Sequence, residues 1–229
     1  DNLWTAFTNT IPMVAIGTIL ALVIGIAVGV LSAVRRGTAS DHIGTNLAVL
    51  FYAFPTQFLG MMILIFAAGV LPVAGMSDAF ELDPSTWGHL LDVGKHMILP
   101  VLTLTLTLFA ENALIVRSSM LETLGEDYIL TARAKGLPRR RIIRAYALRN
   151  AMLPTITLIA LSLGSIVTGA ILIEIIFSWP GIGRALYSAV LSRDYPMLQG
   201  GFLVITVTVI VFNLAADLLY AKLDPRIRA

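Results

Sequence analysis

The chain of 229 residues contains no cysteine. Disulfides, thiol nucleophiles and cysteine-ligated metal sites are therefore excluded. Charge is scarce too: Asp, Glu, Lys and Arg make up 13% of the residues, against about 25% in a soluble chain. The three histidines, His42, His89 and His96, lie at or outside the ends of apolar runs and show no ligand spacing. No GxxxxGK(S/T), HExxH or GxSxG motif is present, so phosphate-loop, zinc-protease and serine-hydrolase chemistry have no basis. Gly181 and Gly183 of Trp-Pro-Gly-Ile-Gly follow no strand, which removes a dinucleotide fold. No basic stretch precedes the opening Asp-Asn-Leu-Trp, so no cleavable signal is visible. With no initiator Met, further residues are expected upstream. Whatever work this chain does, its energy comes from elsewhere.

What it has in quantity is apolar sequence, 57% of the residues. Four runs carry no charge: Ile11–Val34, Ile43–Ser77, Ala151–Ile173 and Tyr195–Ala216. Each exceeds the roughly 20 residues that cross a hydrocarbon core as helix. A fifth run, Met97–Val116, is long enough but contains Glu111 and Asn112. The expected fold is all-α, a polytopic membrane protein with spans near 8–34, 43–71, 97–118, 154–177 and 196–220. No internal repeat or low-complexity linker divides it, so residues 1–229 read as one transmembrane domain. Gly25 and Gly29 form a small-xxx-small pair suited to close helix contact. Pro55, in the middle of the second span, predicts a kink. Trp87, Trp179, Tyr187 and Tyr195 suit interfacial positions, with a short surface helix over 183–191.

The distribution of positive charge orients the spans. Thirteen of the sixteen basic residues fall on one side: Arg35, Arg36, Arg117, seven between residues 126 and 154, Lys222, Arg226 and Arg228. Only Lys95, Arg184 and Arg193 fall on the other. The positive-inside rule then places the amino end outside, the carboxyl end in the cytoplasm, and residues 119–153 as a cytoplasmic loop.

That loop contains the one long polar interruption, Glu126 to Pro154, EDYILTARAKGLPRRRIIRAYALRNAMLP. The order predicts a helix from about Asp127, an N-cap residue type, to Lys135. Gly136 supplies a left-handed C′ position, and Pro138 opens a second, basic helix. Tyr128, Ala132 and Gly136 share a ribbon at spacing four, predicting a face that is nearly flat past Tyr128. Beside Arg133 and Lys135, such a face suits a cleft of another protein. The residues equally fit a basic amphipathic helix lying on anionic headgroups.

Within the spans, Glu111 and Asn112 lie deepest, and a carboxylate at that depth faces water or a bundle interior. A water-lined pathway and an interhelical hydrogen bond are both open for them. Glu174 precedes the Ser-Trp-Pro-Gly turn by three residues; capping or pairing with Arg184 is expected, with a gate as the alternative. Ser162, Ser165 and Thr168, with Gly164 and Gly169, suit tight helix packing first and a translocation path second. Asp217, near the inner surface, reaches Lys222 or headgroups and receives no functional role.

The segment YILTARAKGLPRRRIIRAYALRNAMLP resembles the EAA loop of permease subunits of ABC importers, in particular the dipeptide, oligopeptide and nickel branch. FSWPGIGRALYSAVLSRDYPMLQG and DLLYAKLDPRIR extend the resemblance to the tail. Placing Gly136 on the loop's glycine sets Leu130, Thr131 and Ala132 on Glu-Ala-Ala. Only Ala132, Gly136 and Leu148 match strictly, and the absent glutamate leaves Glu126 and Asp127 as the nearest carboxylates. The resemblance implies a type I importer permease core in a cell's cytoplasmic membrane, with a further span upstream in peptide-type members. It implies a coupling helix, Asp127, Tyr128, Thr131, Ala132, Arg133, Ala134, Lys135 and Gly136 with Arg139, that docks into a cytoplasmic ATPase. It further implies a second permease subunit in a heterodimer, two ATPase subunits and an extracytoplasmic binding protein. ATP and Mg would sit on the ATPases, with no cofactor on this chain and no nucleic-acid partner. A Gly136→Arg change is expected to uncouple transport. The rivals are nickel import by the same architecture, an ion-coupled transporter using Glu111, and a membrane scaffold, which leaves the basic loop without a purpose.

Overall fold

The computed structural model describes residues 2–78, 86–152 and 170–223. Among them the regular elements are helices: α1 Asn2–Val34, α2 Ala39–Ala53, α3 Thr56–Ala67, α4 Thr86–Leu124 and α5 Asp127–Ala134. Helix α6 opens at Arg139–Arg141, widens into a π-helical stretch Ile142–Ala147 and continues to residue 152. Residues 170–176 form α7, followed by α8 Ile182–Ser192 and α9 Tyr195–Leu223.

Three of these are long and apolar enough to cross a bilayer: α1, most of α4, and α9 through Leu214. The expected spans at 8–34, 97–118 and 196–220 lie within them, and α1 and α4 run well past the apolar stretch at one or both ends. The expected span at 154–177 lies outside the described residues except for its last turns. The second expected span differs from a kinked helix. It is broken into α2 and α3, of 15 and 12 residues, each about 20 Å and too short for a core of about 30 Å. Pro55 holds extended backbone (φ −58°, ψ 137°) and starts α3 from its cap rather than bending a continuous helix. The pair is one broken span or a re-entrant loop.

The chain forms two compact units, one of residues 1–19, 54–107 and 163–212, the other of 20–53, 108–162 and 213–229. In the second, α1 and α4 touch backbone to backbone through the expected glycine pair. A Cβ at Gly25 would lie 2.6 Å from that of Asn112, and one at Gly29 would lie 2.7 Å from the Ala113 carbonyl. Below that contact Ala33, Val116, Met120, Ile129, Ala132, Ile142, Ala147 and Ala151 form a buried core. Arg117 also ties α4 to α2, donating Nε to Asp41 Oδ1 (2.8 Å) and Nη2 to Oδ2 (3.1 Å). Asp41 precedes the apolar run that begins at Ile43; the Arg117 guanidinium, then the Gly37 N–H, hold its carboxyl well below the usual carboxylate range.

In the first unit, the turn after α7 is the core. Phe177 and Trp179 are fully buried. Trp179, expected at an interface, donates its indole N–H to the Asn9 carbonyl at 3.0 Å, so its polar end is satisfied inside and needs no headgroup. Trp87, Tyr187 and Tyr195 are exposed. The expected surface helix is α8, with Ile182, Leu186 and Ala189 buried and Tyr187, Val190 and Leu191 outward.

Candidate coupling loop and polar positions in the spans

Helix α5 starts one residue earlier in role than its sequence suggests. Glu126, with extended backbone, is the N-cap and makes no side-chain cap bond; Asp127 is the first helical residue. Its carboxylate there complements the positive end of the helix dipole. The helix ends in a Schellman motif, with Gly136 N–H on the Arg133 carbonyl (2.9 Å) and Leu137 N–H on that of Ala132 (3.3 Å). Gly136 has φ +72°, which a residue with a Cβ adopts only with strain. Pro138 is the cap of α6 rather than its first residue.

Ile129 (0% exposed) and Ala132 (4%) anchor α5 in the core beneath it. This corrects the expected flat ribbon: Ala132 faces inward, so Tyr128, Ala132 and Gly136 do not make one outward surface. Spacing of four identified a ribbon but not its direction, and the apolar pair at i, i+3 decided it. The residues that remain outward are Asp127, Tyr128, Leu130, Thr131, Arg133, Ala134, Lys135 and Gly136. Tyr128 is steadied by α6, whose Asn150 donates Nδ2 to its hydroxyl at 3.0 Å. Arg139 is exposed, but one guanidinium N–H is committed to the Val34 carbonyl at 2.8 Å.

The polar positions of the spans separate. Glu111 is exposed on α4; in an apolar span that placement suits water or a partner, since lipid penalises the charge by a few kcal/mol. Asn112 is half-buried, lies against Gly25, and donates Nδ2 to its own helix at the Leu108 carbonyl (2.9 Å). It fills the α1–α4 contact. Glu174 is fully buried. Its carboxylate accepts from Thr10 Oγ1 (2.6 Å), Gly183 N–H (2.7 Å) and Arg184 N–H (3.2 Å). It therefore caps α8, and the expected partner Arg184 contributes its backbone; the Arg184 guanidinium binds the Ser178 carbonyl. Glu174 is thus buried with both carboxylate oxygens engaged. Ser162, Ser165 and Thr168 lie outside the described residues.

One cluster has no counterpart in the sequence reading. Asp78, Asp92 and His96 bring their ligand atoms within 4.8 Å of one another. Asp92 Oδ2 accepts from the Asp78 N–H at 2.7 Å, and the buried His96 ring lies 3.4 Å from Asp92 and 3.7 Å from Asp78. The i, i+4 spacing of Asp92 and His96 was its only sequence signal. These contacts fasten the segment before residue 79 to α4.

The chain as a whole has counterparts among known proteins. A family model for the binding-protein-dependent transport system inner membrane component matches residues 25–229. The chain belongs to this family. It is 45% identical to the dipeptide transport system permease protein DppB of Escherichia coli K12, over 97% of this chain and 71% of that protein. It is 38% identical to the di/tripeptide transport system permease protein DppB of Pseudomonas aeruginosa, over 98% of this chain and 71% of that one. Among solved structures, the MetNI methionine ABC transporter in an inward-facing conformation aligns with a TM-score of 0.78 at 17% identity, covering 97% of this chain and 96% of that chain. An amino acid ABC transporter aligns at 0.68 and 13%, covering 96% and 94%. These likenesses give the fold, that of an ABC importer permease. Membership makes the chain a membrane-embedded transport component.

Proposed function

We propose that this chain is one of two permease subunits of an ATP-driven importer for di- and oligopeptides, and that α5 couples it to a cytoplasmic ATPase. The observation that carries the coupling role is the build of α5. A short helix anchored by Ile129 and Ala132 and closed by Gly136 keeps a polar, basic surface outward. A helix seated on lipid would turn its apolar residues toward the bilayer; here Ile129 and Ala132 enter the chain's own core, and Leu130 and Tyr128 stay outward among the charges. The peptide substrate is supported by the names of the relatives, dipeptide and di/tripeptide permeases.

In this reading residues 119–153 and the carboxyl end are cytoplasmic, with the amino end outside. ATP and Mg bind two ATPase subunits, a related permease completes the pathway, and an extracytoplasmic binding protein delivers the peptide. Closure of the ATPase pair would carry the coupling helices together and rock the spans. Glu111, with Ser162, Ser165 and Thr168, remains a candidate lining of that path, whereas Asn112 and Glu174 serve packing.

The test is uptake of a labelled dipeptide with co-purification of the ATPase, in wild type and Ala134→Glu. Ala134 is exposed and helical, so the change leaves the backbone unstrained, unlike Gly136→Arg. Loss of both ATPase and uptake from a folded, membrane-inserted variant is expected. Retention of both would reject the docking role.

A further inference from the structure

The ends of α1 and α4, with α5 and α6, enclose a cleft of about 610 Å³. Its floor is apolar, made by Ala33, Leu121, Leu124, Ile142 and Ile143, and Arg36, Arg133 and Arg139 stand at its edge. Among the described residues no carboxylate lines it. A second hollow of about 400 Å³ shares Val34, Arg139 and Ile143 with the first and adds Arg140 and Arg144. The shared residues make the two one groove. Five guanidinium groups border it, and among the described residues none of them is ion-paired with a carboxylate. Arg139 is held in place by its bond to the Val34 carbonyl.

Depth narrows the choice of occupant. Val34 ends the apolar α1 and Arg35 and Arg36 follow it, so the groove spans the level where hydrocarbon gives way to headgroups. We propose that it binds one anionic phospholipid of the cytoplasmic leaflet, its phosphate among the arginines and an acyl chain along the floor. A free anion would leave the half-buried Leu121, Leu124 and Ile143 uncovered, and a neutral lipid would leave five like charges unopposed. Basic pockets at the cytoplasmic ends of spans are known to take anionic headgroups, and the volume matches pockets that enclose small organic ligands. The placement rests on the cytoplasmic orientation proposed above.

The experiment uses the intact transporter in nanodiscs of equal parts phosphatidylcholine and phosphatidylglycerol. It is then extracted into neutral detergent, and retained lipid is counted by native mass spectrometry. Wild type is expected to keep phosphatidylglycerol in preference to phosphatidylcholine. Arg36→Gln/Arg144→Gln, which spares Arg133 and Arg139, is expected to weaken that retention by about 30-fold. Arg149→Gln, exposed on the same loop but off the groove, is expected to keep it. Equal retention by wild type and the double variant overturns the proposal. So does displacement by inorganic phosphate alone, which would make this a free-anion site, or loss of the ATPase from the double variant with lipid unchanged, which would assign the groove to the ATPase. Retained phosphatidylglycerol in a wild type that binds no ATPase would sink the coupling role and leave the lipid site standing.

Discussion

Arg117 and Asp41 meet in a two-point contact, Nε to Oδ1 and Nη2 to Oδ2, that joins the carboxyl-terminal half of α4 to the first turn of α2. Asp41 also accepts from the Gly37 N–H (2.9 Å) and the Thr45 hydroxyl (3.1 Å). An arginine counted only for topology is thus a structural tie. Arg117→Ala, which strands the carboxylate, is expected to lower the melting temperature more than the paired change Asp41→Asn/Arg117→Gln. Because the carboxyl is held below its ordinary range, the stability it contributes is present above that range and lost only as pH falls beneath it. Melting should therefore be flat in this respect between about pH 5 and pH 8. A melting temperature that climbs steadily across that window only when Asp41 is present would contradict the assignment.

The α1–α4 contact makes a second prediction. A side chain at Gly29 meets the Ala113 carbonyl and Val116, both fixed in a helix. Gly29→Leu should destabilise the fold by about 1–3 kcal/mol or abolish insertion, read by thermal unfolding in detergent. Gly94, with nothing within 4 Å of its Cβ position, is the control and should accept alanine with little change. Equal tolerance at both sites would refute the close crossing.

Glu174 distinguishes a cap from a gate. Glu174→Ala leaves the Gly183 and Arg184 amides and the Thr10 hydroxyl without their buried acceptor, at a cost of about 1–3 kcal/mol. Glu174→Gln keeps one acceptor oxygen and should be intermediate. For both variants, uptake per folded transporter is expected to be near wild type, since the carboxylate is engaged by Thr10 and the amides of α8. Normal stability with lost uptake would restore the gate.

Glu111 bears on the energy source. Uptake through the intact transporter should stop on ATP depletion, survive a protonophore, and persist in Glu111→Gln. Uptake that collapses with the proton gradient and requires Glu111 would favour an ion-coupled carrier instead.

Much of this was legible because membrane insertion imposes simple rules. Apolar length located α1, α4 and α9, and small residues located the α1–α4 contact. Gly136 announced the end of α5, because a left-handed C′ position leaves few alternatives. Direction was harder to read. Ala132 on a ribbon with Tyr128 and Gly136 does not reveal which side meets the core, since alanine suits either. Trp179 misled, because a tryptophan near a span end usually marks the water boundary; here the Asn9 carbonyl, remote in sequence, satisfies it inside. Glu174 was expected to cap or to pair with Arg184, and it caps α8 through the Gly183 and Arg184 amides close by in sequence. Pro55 predicted a disturbance, but separating a kink from a break required the tertiary setting of α2 and α3.

The central claim is that the outward side of α5 meets an ATPase while Ala132 does not, and the absence of cysteine makes a direct measurement simple. Ala134→Cys and Ala132→Cys would each be introduced alone, labelled in membranes with a thiol-directed photocrosslinker, and illuminated. An adduct of permease and ATPase from position 134 and none from position 132 is the predicted result. An adduct from position 132, or labelling at 134 that never captures the ATPase in a transporting complex, would contradict it.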